Sequence, residues 1–128
     1  MLIGVPKEIK NHEYRIGLTP AGVRELVGAG HQVLVETQGG TAIGLTDEQY
    51  VDAGAEVVVS AAEIFERAEL IVKVKEPQPS ECKQLRPNQT LFTYLHLAPD
   101  PEQTKLLLAS GATCIAYETV TGHNNSLP

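Results

Sequence analysis

The stretch Leu2–Glu36, LIGVPKEIKNHEYRIGLTPAGVRELVGAGHQVLVE, decides the fold. Leu2-Ile3-Gly4-Val5 is a short apolar run halted by Pro6, which has no N–H to give to a ladder. Thr19-Pro20 has the form of a helix start, with threonine as N-cap and proline in the first turn. Val23, Leu26 and Val27 recur at helical spacing, and Gly30 offers a left-handed stop. Gln32–Glu36 is again apolar and β-branched. Strand, helix, strand is a βαβ unit, whose two strands run parallel through a right-handed crossover.

The alternation continues down the chain. Thr46-x-x-Gln49 and Ser60-x-x-Glu63 read as capping boxes that open helices ending near Gly54 and Ala68. Strands are expected at Val57–Val59, Leu70–Lys75, Thr90–Leu97 and Thr113–Tyr117. A helical turn is expected from Ser80, inside the proline-bracketed connection. A last helix starts at Asp100-Pro101, with Gln103 completing its box, and ends at Gly111. The expected architecture is α/β, a doubly wound and mostly parallel sheet of about five or six strands with flanking helices. Residues 1–128 suit one domain.

Composition narrows the function classes. The chain is 42% hydrophobic and 20% charged, ordinary for a globular domain. A net charge of -6 and a pI near 5.1 argue against a nucleic-acid surface and against a polybasic membrane patch. No apolar run reaches the ~18 residues of a membrane span. MLIGVPKEIK lacks the basic start and apolar core of a secretory signal, so a cytoplasmic location is expected. Cys82 and Cys114 form no CxxC pair and read as reduced structural thiols. His31 and His123 have no metal-like partners at suitable spacing, and no metal is expected.

In open parallel sheets, ligands settle beyond the carboxyl ends of the strands. Groups with chemistry fall there from separate strands. The loop after the first strand carries Arg15, with His12, Glu13 and Tyr14; the run IVKVKEP reaches Lys75; TLFTYLHL carries His96. Strand alternation puts Ile71, Lys73 and Lys75 on one face. Two lysines on a covered face must reach water, find an anion or shift their pKa. On an edge strand they would instead guard against aggregation. The pattern leaves these readings open. It also leaves His96 open between a satisfied core histidine and an acid/base, and Arg15 between a solvated charge and a ligand-binding one. The glycine loop GGTAIG lacks the order GxGxxG and follows the second strand, while the first is followed by Pro6-Lys7-Glu8. No dinucleotide site is therefore expected within this chain.

Four segments together carry a resemblance: residues 1–36, IVKVKEP, LFTYLHLAP and IAYETV. In order and spacing they resemble the N-terminal part of NAD-dependent L-alanine dehydrogenase, over essentially the whole chain. The related domain of proton-translocating nicotinamide nucleotide transhydrogenase typically lacks counterparts of Lys75 and His96, both present here. Opine-type enzymes use a related lysine and histidine, but the flanking segments differ.

The resemblance implies an enzyme that oxidatively deaminates L-alanine to pyruvate and ammonia with NAD as hydride acceptor. It implies that Arg15 binds the substrate carboxylate, that Lys75 contacts the carboxylate or carbonyl oxygen, and that His96 is the catalytic acid/base. The residue types suit these roles: a guanidinium pairs both carboxylate oxygens, an ammonium polarises a carbonyl, and an imidazole exchanges protons near neutrality. No role carries over to Lys73; Tyr94 and Glu118 are expected to support at most. The resemblance also implies a homo-oligomer, and an NAD-binding domain lying outside this sequence. Residues 1–128 then read as a truncated substrate-binding domain, not expected to turn over alanine with NAD alone. Two other readings stand beside it: a stand-alone module that binds a small carboxylate, and an inactive remnant.

Overall fold

The computed structural model describes residues 1–127. Strand β1 (Leu2–Val5) lies between β2 (Gln32–Glu36) and β4 (Leu70–Val72). Beyond β2 lies β3 (Glu56–Val58); beyond β4 lie β5 (Thr90–Thr93) and then β6 (Thr113–Ala116). Every pairing is parallel, in the order β3-β2-β1-β4-β5-β6. The chain builds outward from β1 to one edge, returns, and builds to the other, which makes the sheet doubly wound with its switch point between β1 and β4.

The sheet is covered on both faces. Helices α1 (Pro20–Gly28) and α2 (Asp47–Asp52) pack through Val23 and Tyr50 on Ile3, Val5, Val33 and Val35. On the other face, α3 (Ala61–Arg67), α4 (Pro79–Cys82) and α5 (Pro101–Ser110) bring Ile64, Phe65, Cys82 and Leu107 onto Leu34, Ile71 and Leu91. Val33, Leu34 and Val35 alternate between the two cores, as strand side chains must. Gly4 is what lets α3 come down on β1: a Cβ there would lie 2.5 Å from Ile64 Cγ2 and 2.7 Å from Ala68 Cβ.

The helix starts follow the local signals. Thr19 accepts from the Gly22 N–H, Ser60 from Glu63 and Asp100 from Gln103. Thr46 and Gln49 close a full capping box. The box expected at Asp100 is not reciprocal, because the Gln103 amide donates to the Leu95 carbonyl at 3.1 Å instead.

The edge-strand reading of the two lysines is overturned, since β4 lies inside the sheet between β1 and β5. Two strands also stop earlier than expected. β4 ends at Val72, and the N–H groups of Val74 and Lys75 bond to the Glu8 carboxylate instead of a neighbouring strand. β5 ends at Thr93, and the N–H groups of Leu95 and His96 bond to the Glu118 carboxylate. In each case a side-chain acid from another strand end takes over from the ladder. Both cysteines are free thiols; burial pushes Cys82 up to about 11.

Candidate active site

Because all six strands run one way, their carboxyl ends line a single rim. The loop of residues 6–19 follows β1, Lys73–Glu76 follow β4, Tyr94–Leu97 follow β5, and Tyr117–Thr119 follow β6.

The loop after β1 is long but pinned. Its start is held by the Lys7 N–H on Glu36 at 2.7 Å, and its end by the Tyr50 hydroxyl, which donates to the Leu18 carbonyl at 2.7 Å. Ile16 is buried in the core, and Lys10 pairs with Glu76. Gly17 brings the loop against the end of β4: a Cβ there would sit 2.6 Å from the Val72 carbonyl oxygen. Only glycine permits that approach, and it carries Arg15 towards the strand that leads to Lys75.

Beneath the rim lies a buried ionic cluster. Lys73 Nζ is 3.0 Å from Glu8 Oε2 and 3.0 Å from Glu81 Oε2, and the three side chains are 1%, 1% and 3% exposed. The contact to Glu8 is a hydrogen bond; that to Glu81 is ionic only, its geometry leaving Oε2 without a donor. Burial pushes the Glu81 carboxyl up, and the Lys73 ammonium opposes this in part. Glu8 also bonds the backbone of Val74 and Lys75, so it ties the end of β1 to the segment that carries Lys75.

Lys75 and His96 meet through one aromatic ring. Lys75 Nζ stands 4.9 Å from the centroid of Tyr94, within cation–π range. The Tyr94 and His96 rings lie nearly parallel, 5.6 Å apart with 11° between planes. Tyr117 packs on Tyr94 at 6.3 Å and donates its hydroxyl to the Val74 carbonyl at 2.7 Å. His96 has a left-handed backbone, φ 45°, uncommon outside glycine, and its N–H is held by Glu118 at 2.8 Å. Burial alone would raise the Glu118 carboxyl; the N–H groups of His96, Glu118 and Leu95 outweigh it and hold it below the usual range.

Arg15 is presented differently. It is 62% exposed and clamped by Glu13, which is 6% exposed. Nε donates to Glu13 Oε2 at 2.9 Å and Nη2 to Oε1 at 2.6 Å. The Arg15 guanidinium holds the Glu13 carboxyl down at about 2, with a further contribution from Lys75. Arg15 lines an open cleft of about 530 Å³ with Lys7, Lys10, His12 and Gly39; neither Lys75 nor His96 is in its wall. The structure thus joins Lys75 and His96 through Tyr94, while Arg15 lies in a cleft whose wall includes neither.

The site contains residues that sequence reasoning did not assign. Glu8, Glu81 and Tyr117 received no role, and Glu13 was noted only as a loop residue. One signal points towards the acids: a lysine on a covered face that does not reach water or shift its pKa must find an anion.

Residues 4–128 match the family described as "Alanine dehydrogenase/PNT, N-terminal domain". The chain belongs to this family. The alanine dehydrogenase of Halomonas elongata is 56% identical over 128 residues, all of this chain and 34% of that protein. That of Bacillus subtilis is 51% identical over 121 residues, 94% of this chain and 32% of that protein. A solved L-alanine dehydrogenase superposes with a TM-score of 0.95 at 56% identity, covering 100% of this chain and 35% of that one. A transhydrogenase from Sinorhizobium meliloti, 24% identical, superposes with a TM-score of 0.88 over 97% of this chain and 37% of its own, and shares the fold. The chain spans about a third of the length of the curated alanine dehydrogenases it matches.

The dinucleotide site of a doubly wound sheet lies at the switch point, where a glycine turn admits the pyrophosphate to a helix N-terminus. Here Pro6-Lys7-Glu8 follows β1, and the Glu8 carboxylate occupies the switch point, bonded to the β4 end. That carboxylate already takes the Val74 and Lys75 N–H groups, and no glycine turn leads from β1 into a helix N-terminus that could receive a pyrophosphate. The residues of this chain do not fit the dinucleotide.

Proposed function

We propose that this chain is the substrate-binding lobe of an alanine dehydrogenase, holding L-alanine or pyruvate at the rim while the rest of the enzyme supplies NAD. The observation that carries the reading is the cluster at the ends of β4 and β5: an ammonium and an imidazole both packed on one tyrosine, beside a loop that presents a guanidinium. Together with the family relationship it supports these roles. Arg15 pairs the substrate carboxylate through a planar fork. Lys75, which is in no ion pair among the described residues, polarises the oxygen on which charge develops. With NAD as hydride acceptor, C2 of alanine becomes an imine carbon; His96 takes a proton from the water that adds there, passes it to the nitrogen so that ammonia leaves, and receives the hydroxyl proton as the carbonyl forms.

Titration calorimetry with pyruvate tests this on the chain itself. The parent is expected to bind. Arg15→Ala and Lys75→Ala each weaken binding by at least about tenfold, the scale of a lost charge-assisted hydrogen bond. His96→Ala, which removes a proton carrier and not a carboxylate partner, weakens it less. Equal affinity in all four proteins would overturn the proposal.

A further inference from the structure

We infer that Glu118 is the positioning residue of His96: its carboxylate holds the chain in the left-handed turn that lays the imidazole on Tyr94. The inference deepens, and rests on, the acid/base reading of His96.

His96 is exposed, so packing on the core does not fix it. Its backbone sits at φ 45°, a region that a residue with a Cβ keeps only when its surroundings hold it there. Glu118, in the turn after β6, supplies the hold. Its Oε1 accepts from the His96 N–H at 2.8 Å and from the Leu95 N–H at 3.1 Å, and its Oε2 from the Leu95 N–H at 3.3 Å. These N–H groups lie just past the point where β5 ends, at Thr93. One oxygen reaches both of them, so the grip needs an acceptor and not a charge.

The turn decides where the ring goes. Rotation about N–Cα carries Cβ with it, so φ sets the side on which the imidazole leaves the Leu95–His96 peptide plane. At φ 45° the ring lies nearly parallel to that of Tyr94, 5.6 Å away with 11° between planes. A return to the ordinary negative φ swings it off Tyr94 and so out of register with Lys75, whose Nζ is 4.9 Å from the same ring centroid. Lys75 is secured in two ways: Glu8 accepts from its N–H at 2.9 Å, and the Thr93 hydroxyl donates to its carbonyl at 2.7 Å. Among the described residues, the His96 N–H has Glu118 as its one acceptor. The acid/base is therefore the half of the pair whose placement hangs on a single side chain.

Nuclear magnetic resonance on the chain tests this in the parent, Glu118→Ala and Glu118→Gln, after circular dichroism shows that each is folded. The parent is expected to show at His96 the strong amide-to-Hα Overhauser effect of a positive φ, and imidazole protons displaced by the Tyr94 ring current. Glu118→Ala loses the first and most of the second, while the methyl signals of Ile71 and Leu91 stay in place. Glu118→Gln, which still offers one acceptor oxygen, keeps both. His96 signals in Glu118→Ala that match the parent, or that move only together with the core methyls, overturn the inference. So does a Glu118→Gln variant that behaves as Glu118→Ala does. Pyruvate separates this outcome from that of the reading beneath it. At saturation, set by calorimetry, it is expected to shift the imidazole signals of the parent. Where it does, failure of the variant series falls on Glu118 alone. A parent that binds no pyruvate, or whose His96 signals ignore it, overturns the acid/base reading and this inference with it.

Discussion

Lys73 illustrates what a residue can and cannot reveal of itself. Its place on the Ile71 face is legible from alternation alone. Its partners are not: Glu8 is 65 positions away, and only the β1–β4 adjacency brings it within 3.0 Å. The same holds for Lys75 and His96, whose side chains share a tyrosine only because β4 and β5 are neighbours. Arg15 differs, for its partner is two residues away and the contact depends on a local reversal. The buried cluster makes a stability prediction. Lys73→Met leaves two carboxylates, each no more than 3% exposed, without their counter-ion. Breaking such a buried pair costs about 3–5 kcal/mol, to be seen as a lower urea midpoint at pH 7 with an unchanged slope.

At the scale of elements, the helix starts were readable and the strand ends were not. Caps are short-range, so Thr19, Thr46, Ser60 and Asp100 announce themselves within three residues. β4 and β5 keep their apolar alternation past their last ladder bonds, and the acids that replace the ladder arrive from other strand ends. Gly17 is an element-level device, since it lets the long loop lie on the β4 backbone. Gly17→Ala places a Cβ 2.6 Å from the Val72 carbonyl oxygen, and backbone must move. A loss of about 1–3 kcal/mol in urea unfolding is expected, together with weaker pyruvate binding, because the displaced loop carries Arg15.

For the whole molecule, the doubly wound order was legible because βαβ units leave few alternatives. Its acids give stability two opposing pH slopes. Glu13 is held at about 2 in the fold against an ordinary 4.5, so its contribution is present above pH 4.5 and is lost as pH falls through 2. Glu81 is raised from 4.5, so as pH climbs above 4.5 the unfolded chain releases a proton that the fold retains, and stability falls. Urea midpoints measured from pH 2 to 8 should show the acid loss reduced in Glu13→Gln and the decline above pH 4.5 flattened in Glu81→Gln.

The replacement of ladder bonds by Glu8 and Glu118 also sets a local clock. The amides of Lys75 and His96 are protected by single side chains, each able to let go by itself, so their deuterium uptake should run ahead of that of β4 and β5. Glu118→Ala, which spares the buried Lys73 cluster, should quicken labelling at the Leu95 and His96 amides and leave the central strands as slow as before. The rim could then reshape around an incoming small molecule while the layer beneath it stays shut.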